Sequence, residues 1–252
     1  MTQLELLIDF HVNAERQGPG SEKETLMALE ILDIPNEAFV KIADLGCGSG
    51  AQTMVLARHL HSHITSVDLF PEFLSKLDIK ANELNLKDKI LTMNRSMEDL
   101  PFEDEEFDLI WSEGAIYHMG FQRGISEWKK YLKTEGYLAV SEVTWTTHSR
   151  PEEIEEYWTN EYPEIDTASN KIKILEKHGY APVGYFVLSQ NSWVENYYEP
   201  MVKRFIPFLE KHQYSEVANQ IVEEHKREIA IYKKYKDYYN YGFYLAKKLS
   251  GK

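Results

Sequence analysis

The chain has a single cysteine, Cys47, in 252 residues. No disulfide can form within it, so the fold must stand on packing, and the usage suits a reducing compartment. It has no apolar run near the roughly 18 residues that a membrane span needs. Met1 to Phe10 contains Glu5 and Asp9 but no basic leader, so no signal peptide is expected. Positive charge is scarce: 28 Lys and Arg stand against 41 Asp and Glu, a formal charge of −13. Nucleic-acid binders need a basic face. The one basic run, Lys226 to Lys236, is broken by Glu228, Tyr232 and Tyr235 and reads as a solvated helix face. His59, His61 and His63 straddle a helix end and a strand start with no Cys or acid to complete a set, so no metal site is expected. What remains is a cytoplasmic protein, monomer or homodimer, that binds neither membrane nor nucleic acid.

What is present is alternation. Strands are expected over 39–45, 63–68, 89–94, 107–112, 136–144, 183–189 and 239–247. Helices are expected over 3–13, 21–32, 51–60, 71–84, 122–132 and 169–178. Ser21 and Glu24 read as a capping box, Pro71 as a first-turn residue, and Gly179 as a helix stop. Such alternation builds right-handed βαβ units, and therefore an α/β doubly wound, mostly parallel sheet in one domain. Within residues 1–252, the expected layout is N-terminal helices over 1–35, a cofactor-binding core over 36–144, helical cover insertions over 145–168 and 191–237, and closing strands at 183–189 and 239–247. In Tyr238–Tyr244 the period-two pattern puts half of the rings in the core.

The chemistry gathers where the first two strands end. Ile42-Ala43-Asp44-Leu45-Gly46-Cys47-Gly48-Ser49-Gly50 is a short apolar run ending in an acid and a glycine turn, and a second run ends at Asp68. Glycines let the backbone approach a ligand, and an acid at the second strand tip accepts from ribose hydroxyls. A nucleoside-bearing small molecule is therefore expected. Gly46, Gly48 and Ala51 also satisfy a dinucleotide fingerprint, which keeps a nicotinamide-dependent oxidoreductase open. Asp44 before the turn, and no Arg or Lys within it, favour a cationic ligand group over a pyrophosphate.

The segment 94–118 separates these readings. Asp44 to Gly50, Asp68, Met97-Glu98-Asp99-Leu100-Pro101-Phe102 and Phe107-Asp108-Leu109-Ile110 together resemble the class I S-adenosylmethionine-dependent methyltransferases. The closest branch holds the ubiquinone and menaquinone biosynthesis methyltransferases. The resemblance implies a seven-stranded sheet of order 3-2-1-4-5-7-6 with the last strand antiparallel. It implies S-adenosyl-L-methionine as cofactor, S-adenosyl-L-homocysteine as product, and a small-molecule substrate methylated at N, O or activated C. Carried over residue by residue, Asp44, Gly46, Cys47 and Gly48 hold the methionine part, with Asp44 near its ammonium. Asp68 takes the ribose, Leu69 packs on adenine, and Ser96 and Met97 flank the adenine edge. Ser112 and Glu113 border the sulfonium. The family often has an acid where Ser96 stands; here either the Ser96 hydroxyl accepts in its place or Glu98 or Asp99 substitutes.

Methyl transfer is an in-line displacement whose activated group comes from the cofactor, so the protein mainly aligns the acceptor and excludes water. A base is needed only for an acceptor protonated at working pH. His118 is the first candidate, with Tyr117 and Glu113 beside it. Arg16 or Gln17, in a glycine–proline segment, either closes over the cofactor carboxylate or belongs to an ordinary helix linker. Trp145, Trp158, Trp193, Tyr197 and Tyr198 either line an apolar or cationic pocket or pack the cover. A non-catalytic protein that binds the same nucleoside would use the same cradle.

Overall fold

The computed structural model describes residues 1–35 and 37–250. The expected start of the core at residue 36 lies outside these, as do residues 251 and 252. Two helices come first, α1 (Gln3–His11) and α2 (Glu22–Leu32). The alternating part follows as β1 (Val40–Leu45), α3 (Ala51–His59), β2 (Ser62–Asp68), α4 (Pro71–Glu83), β3 (Ile90–Asn94), β4 (Phe107–Glu113), α5 (Phe121–Trp128) and β5 (Leu132–Trp145). Then come α6 (Glu152–Glu161), a two-residue β6 (Asp166–Thr167), α7 (Ala168–Lys177) and β7 (Tyr180–Val187). Helices α8 (Gln190–Trp193), α9 (Glu199–Lys211) and α10 (Glu216–Tyr235) lead into β8 (Tyr239–Lys248).

The sheet order is β3-β2-β1-β4-β5-β8-β7, with β6 added beside the end of β5. Leaving β6 aside, this is the 3-2-1-4-5-7-6 order expected, and the last strand runs antiparallel to both its neighbours. β1 and β4 are buried at nearly every residue because helices cover both faces. One core layer joins Phe10, Leu56 and Leu77 to Trp111 and the cover residue Tyr232, and the other joins Phe107, Phe121 and Trp128 to Tyr180. Each such side chain contributes about 1.5–3 kcal/mol of burial.

Local expectations held at Pro71 and Gly179: Pro71 opens α4, and Gly179 takes φ +76° after α7. Two were corrected, at β8 and at Glu24. Tyr239, Tyr241, Phe243 and Tyr244 are all buried, because β8 lies between β5 and β7 with both faces covered, so period two does not sort its rings. The stretch 145–168, expected as helical cover, holds one regular helix, α6, opened by Glu152, Glu153 and Glu155 in its first turn, where acids favour the helix dipole. Ser21 caps α2 at the Glu24 amide and its hydroxyl donates to the Glu24 carboxylate, but that carboxylate does not take the Ser21 amide as a capping box would, accepting instead from Ser189 N at 2.7 Å and Ser192 Oγ at 2.5 Å. It ties the first helices to the cover.

Candidate functional site

β1 lies between β2 and β4. Its carboxyl end is therefore the point where the chain winds in both directions, which leaves a crevice above the strand tips. A cavity of about 460 Å³ occupies it. Its floor is the glycine turn, with Gly46 at φ +73° and Gly48 at φ +54°. A Cβ on Gly46 would stand 2.3 Å from Ala115 Cβ, and one on Gly48 2.3 Å from Gln17 Oε1. Only glycine fits either place. The amides of Gly46 and Cys47 both donate to Val67 O, at 2.9 and 3.0 Å, which folds the turn against β2.

Asp68 completes this join. Its Oδ2 accepts from Gly48 N at 2.8 Å and its Oδ1 from Phe70 N at 3.0 Å. Its carboxylate lines the cavity with lone pairs to spare for a ligand hydroxyl. Burial raises its pKa, and the donors from the Phe70, Gly48 and Leu69 backbone pull the other way. Cys47 is buried, its thiol pushed well above the usual range by burial and the nearby Asp44 and Asp68. It packs and does not act as a nucleophile.

Two expected wall residues do not reach the cavity. Asp44 is fully buried behind the turn, accepting from Thr53 Oγ1 at 2.5 Å and Gln52 Nε2 at 3.2 Å. Gln52 also binds Cys47 O at 3.3 Å and itself lines the cavity, so the acid sits one side chain back. Burial pushes Asp44 up to about 7, and the charges of Glu113 and Asp68 add to this. Ser112 is likewise fully buried, its hydroxyl donating to Leu45 O at 2.8 Å. Alternation along β4 explains it: Glu113 lines the cavity, so Ser112 takes the opposite face of the sheet.

Glu113 proves to be a junction. It accepts from Arg16 Nη1 at 2.9 Å, Thr25 Oγ1 at 2.8 Å and Trp111 Nε1 at 3.0 Å. Gln17 reaches the glycine turn, accepting from Ser49 N at 3.0 Å and donating to Ser49 Oγ at 3.1 Å. The segment between α1 and α2 is thus strapped over the cavity at the glycine turn and at the end of β4. Gly20 N donates to Ser192 O and Asn196 Nδ2 to Gly20 O, which anchors the strap to the cover.

Leu69, Ser96 and Met97 form the opposite wall. Leu69 is 58% exposed at the rim. Glu98 also lines the cavity, with its carboxylate paired to Arg123 at 2.9 Å. Tyr117 and His118 close the end beyond β4, their rings 4.0 Å apart. Burial lowers the His118 pKa, so its imidazole is neutral and able to accept a proton at neutral pH. Burial, with Glu228 adding, pushes the Tyr117 phenol up to about 12. Phe70, Phe73 and Arg95 also line the cavity and were missed. Phe70 and Arg95 lie within two residues of the tips of β2 and β3, and that position was the available signal.

A family profile described as a methyltransferase domain matches residues 43–140, the span from β1 into β5. Residues 43–140 carry a methyltransferase domain. It is 34% identical over 98 residues to a sarcosine/dimethylglycine N-methyltransferase of Aphanothece halophytica, 36% of this chain and 32% of that protein. Over 134 residues it is 29% identical to an uncharacterized protein of Haemophilus influenzae, 51% of each chain. The matches span about half or less of the length of the curated relatives. In fold, it superposes on an S-adenosylmethionine-dependent methyltransferase of Geobacter sulfurreducens, solved with S-adenosyl-L-homocysteine. The TM-score is 0.84 at 17% identity, covering 96% of this chain and 97% of that one. Among the described residues, no helix of the domain is long and apolar enough to cross a membrane.

Proposed function

We propose that this chain is an S-adenosyl-L-methionine-dependent methyltransferase that acts on a small-molecule acceptor at N, O or an activated carbon. The observation that carries this is the meeting of the positive-φ glycine turn and the Asp68 carboxylate on one cavity. The fit of a sulfonium nucleoside is good. Gly46 and Gly48 leave room where a Cβ would collide, Asp68 has free lone pairs for the ribose, and Leu69, Ser96 and Met97 flank the adenine end. Asp44 and Ser112 serve from behind, Asp44 by fixing Gln52 and Thr53 and Ser112 by fixing the end of β1. When bound, the cofactor supplies an activated methyl group.

The chain's own residues then align the acceptor and exclude water, which good alignment makes worth up to about 7–11 kcal/mol. Arg16 and Gln17 close the mouth, and Glu113 holds Arg16 in place. His118 is the base at a ring nitrogen when the acceptor must lose a proton, with Tyr117 as its neighbouring wall. Residues 1–35 are the N-terminal helices with the strap between them, 36–144 the core, 145–168 with 191–237 the cover, and 183–189 with 239–247 the closing strands of one cytoplasmic enzyme.

Calorimetry with S-adenosyl-L-homocysteine, paired with native mass spectrometry of the purified protein, tests this reading. Saturable binding is expected, and no detectable binding overturns it. Tight binding with no methylation across a broad acceptor screen would instead make the chain a nucleoside-binding protein.

A further inference from the structure

Lys171 on α7 is 1% exposed and does not line the cofactor cavity. Its ammonium is enclosed on four sides. It donates to Glu142 Oε1 at 2.5 Å and to Glu164 O at 2.9 Å, and it lies 4.7 Å from the centre of the Phe121 ring and 5.2 Å from that of Tyr162. These groups come from β5, from the start of α5 and from the loop between α6 and β6.

All of them bear on the turn that carries Tyr117 and His118. The turn leaves β4 at Gly114, whose amide donates to Ser141 Oγ at 2.9 Å, next to Glu142 in β5. It enters α5 at Phe121, whose amide donates to Tyr162 Oη at 3.3 Å. A Cβ on Gly120 would stand 2.4 Å from Glu164 Oε1, so that carboxylate lies against the last backbone of the turn. The Tyr162 ring meets Tyr117 edge-on at 6.1 Å, and the Tyr117 and His118 rings are 4.0 Å apart. Burial raises the Glu142 pKa to about 7, and the Lys171 ammonium and the Tyr162 phenol pull it back. The Tyr162 hydroxyl therefore answers to the buried pair on one side and to the turn on the other.

A buried ammonium is costly where apolar packing would do as well, and α7 already docks through Leu175. What an ammonium adds is direction. Its donors and charge fix a carboxylate, a carbonyl and two ring faces at once, which an apolar side chain of the same volume cannot dictate. We propose that Lys171 is a positioning residue for methyl transfer: through Tyr162 it sets the turn that presents Tyr117 and His118 to the acceptor end of the cavity. The role of His118 rests on the methyl-transfer reading, whereas the hold on the turn stands on the contacts alone.

The test follows the His118 imidazole of the full chain by NMR through a pH titration, its signal identified by its loss in His118→Asn. The urea midpoint and S-adenosyl-L-homocysteine affinity are measured alongside. Burial is what lowers the His118 pKa, so a loosened turn admits water and the imidazole titrates closer to the ordinary histidine range. Tyr162→Phe keeps the ring and loses the hydroxyl. Lys171→Met/Glu142→Leu removes the pair without stranding an acid. In both, the His118 midpoint should rise by about 0.5 on the pH scale or more, with S-adenosyl-L-homocysteine bound within about twofold of wild type. A role in packing alone would move the urea midpoint and leave the imidazole titration in place. A wild-type His118 midpoint in either folded variant therefore overturns the proposal, and should the double variant not fold, Tyr162→Phe decides it. Shifted His118 midpoints in a chain that binds no S-adenosyl-L-homocysteine would uphold the hold on the turn and overturn the methyl-transfer reading instead.

Discussion

Asp68→Asn separates what this residue does for the fold from what it does for a ligand. The carboxylate accepts one backbone amide on each oxygen, Gly48 N at 2.8 Å and Phe70 N at 3.0 Å. An amide of the same shape has one acceptor oxygen, so one of these N–H groups must face an NH2. Leaving a buried donor unpaired costs about 1–3 kcal/mol. Because burial already opposes the charge on Asp68, removing that charge returns part of the cost, and stability should fall toward the lower end, about 1 kcal/mol. A ligand hydroxyl has no such compensation. It loses a charge-assisted acceptor worth about 1.5–3 kcal/mol, so S-adenosyl-L-homocysteine should bind about tenfold to a hundredfold more weakly. Urea denaturation reads the first effect and calorimetry the second. Affinity within about twofold of wild type, in a folded variant, would refute the ribose assignment.

Gly46→Ala should destabilise by about 2–5 kcal/mol, since left-handed backbone and a rigid overlap with Ala115 add together at φ +73° and 2.3 Å. A denaturation midpoint unchanged within about 0.5 kcal/mol would mean that the turn relaxes freely. Lys171 and Glu142 form a buried ion pair at 2.5 Å. Lys171→Met should cost about 3–5 kcal/mol by stranding the acid, with Lys171→Met/Glu142→Leu recovering most of it, and a double variant no more stable than the single would count against this. Asp44 and Glu142 are both pushed up to about 7, chiefly by burial, so they hold protons more tightly folded than unfolded. Their stabilisation is whole below the ordinary carboxylate range and lost as pH rises through about 7. Urea midpoints should fall with rising pH there, less steeply in Asp44→Asn, and an equal slope in that variant would contradict the origin. His118→Asn should lower turnover by about a hundredfold or more at unchanged S-adenosyl-L-homocysteine affinity. Because burial lowers the His118 pKa, wild-type turnover should hold below the usual histidine range before falling with acid. Unchanged turnover in the variant would reduce His118 to scaffold.

What could be read along the chain was what local chemistry dictates. The periods of two and 3.6 placed the alternating elements, and the turn after β1 needs glycines wherever it occurs, so Gly46, Gly48 and the acid at Asp68 marked the cavity before any fold was known. The sheet order followed from resemblance, and the pairing agrees with it. Folding settled which face of a strand an acid takes and what meets it there. Asp44 and Asp68 look alike in sequence, yet one is sealed behind Thr53 and Gln52 while the other opens on the cavity. Glu24 was read as a local cap and, besides meeting Ser21, spans 168 positions to Ser192. Arg16 meets Glu113 across 97 positions, and Lys171 meets Glu142 across 29. Such contacts depend on side chains that are distant in the chain, and no spacing rule along the sequence encodes them.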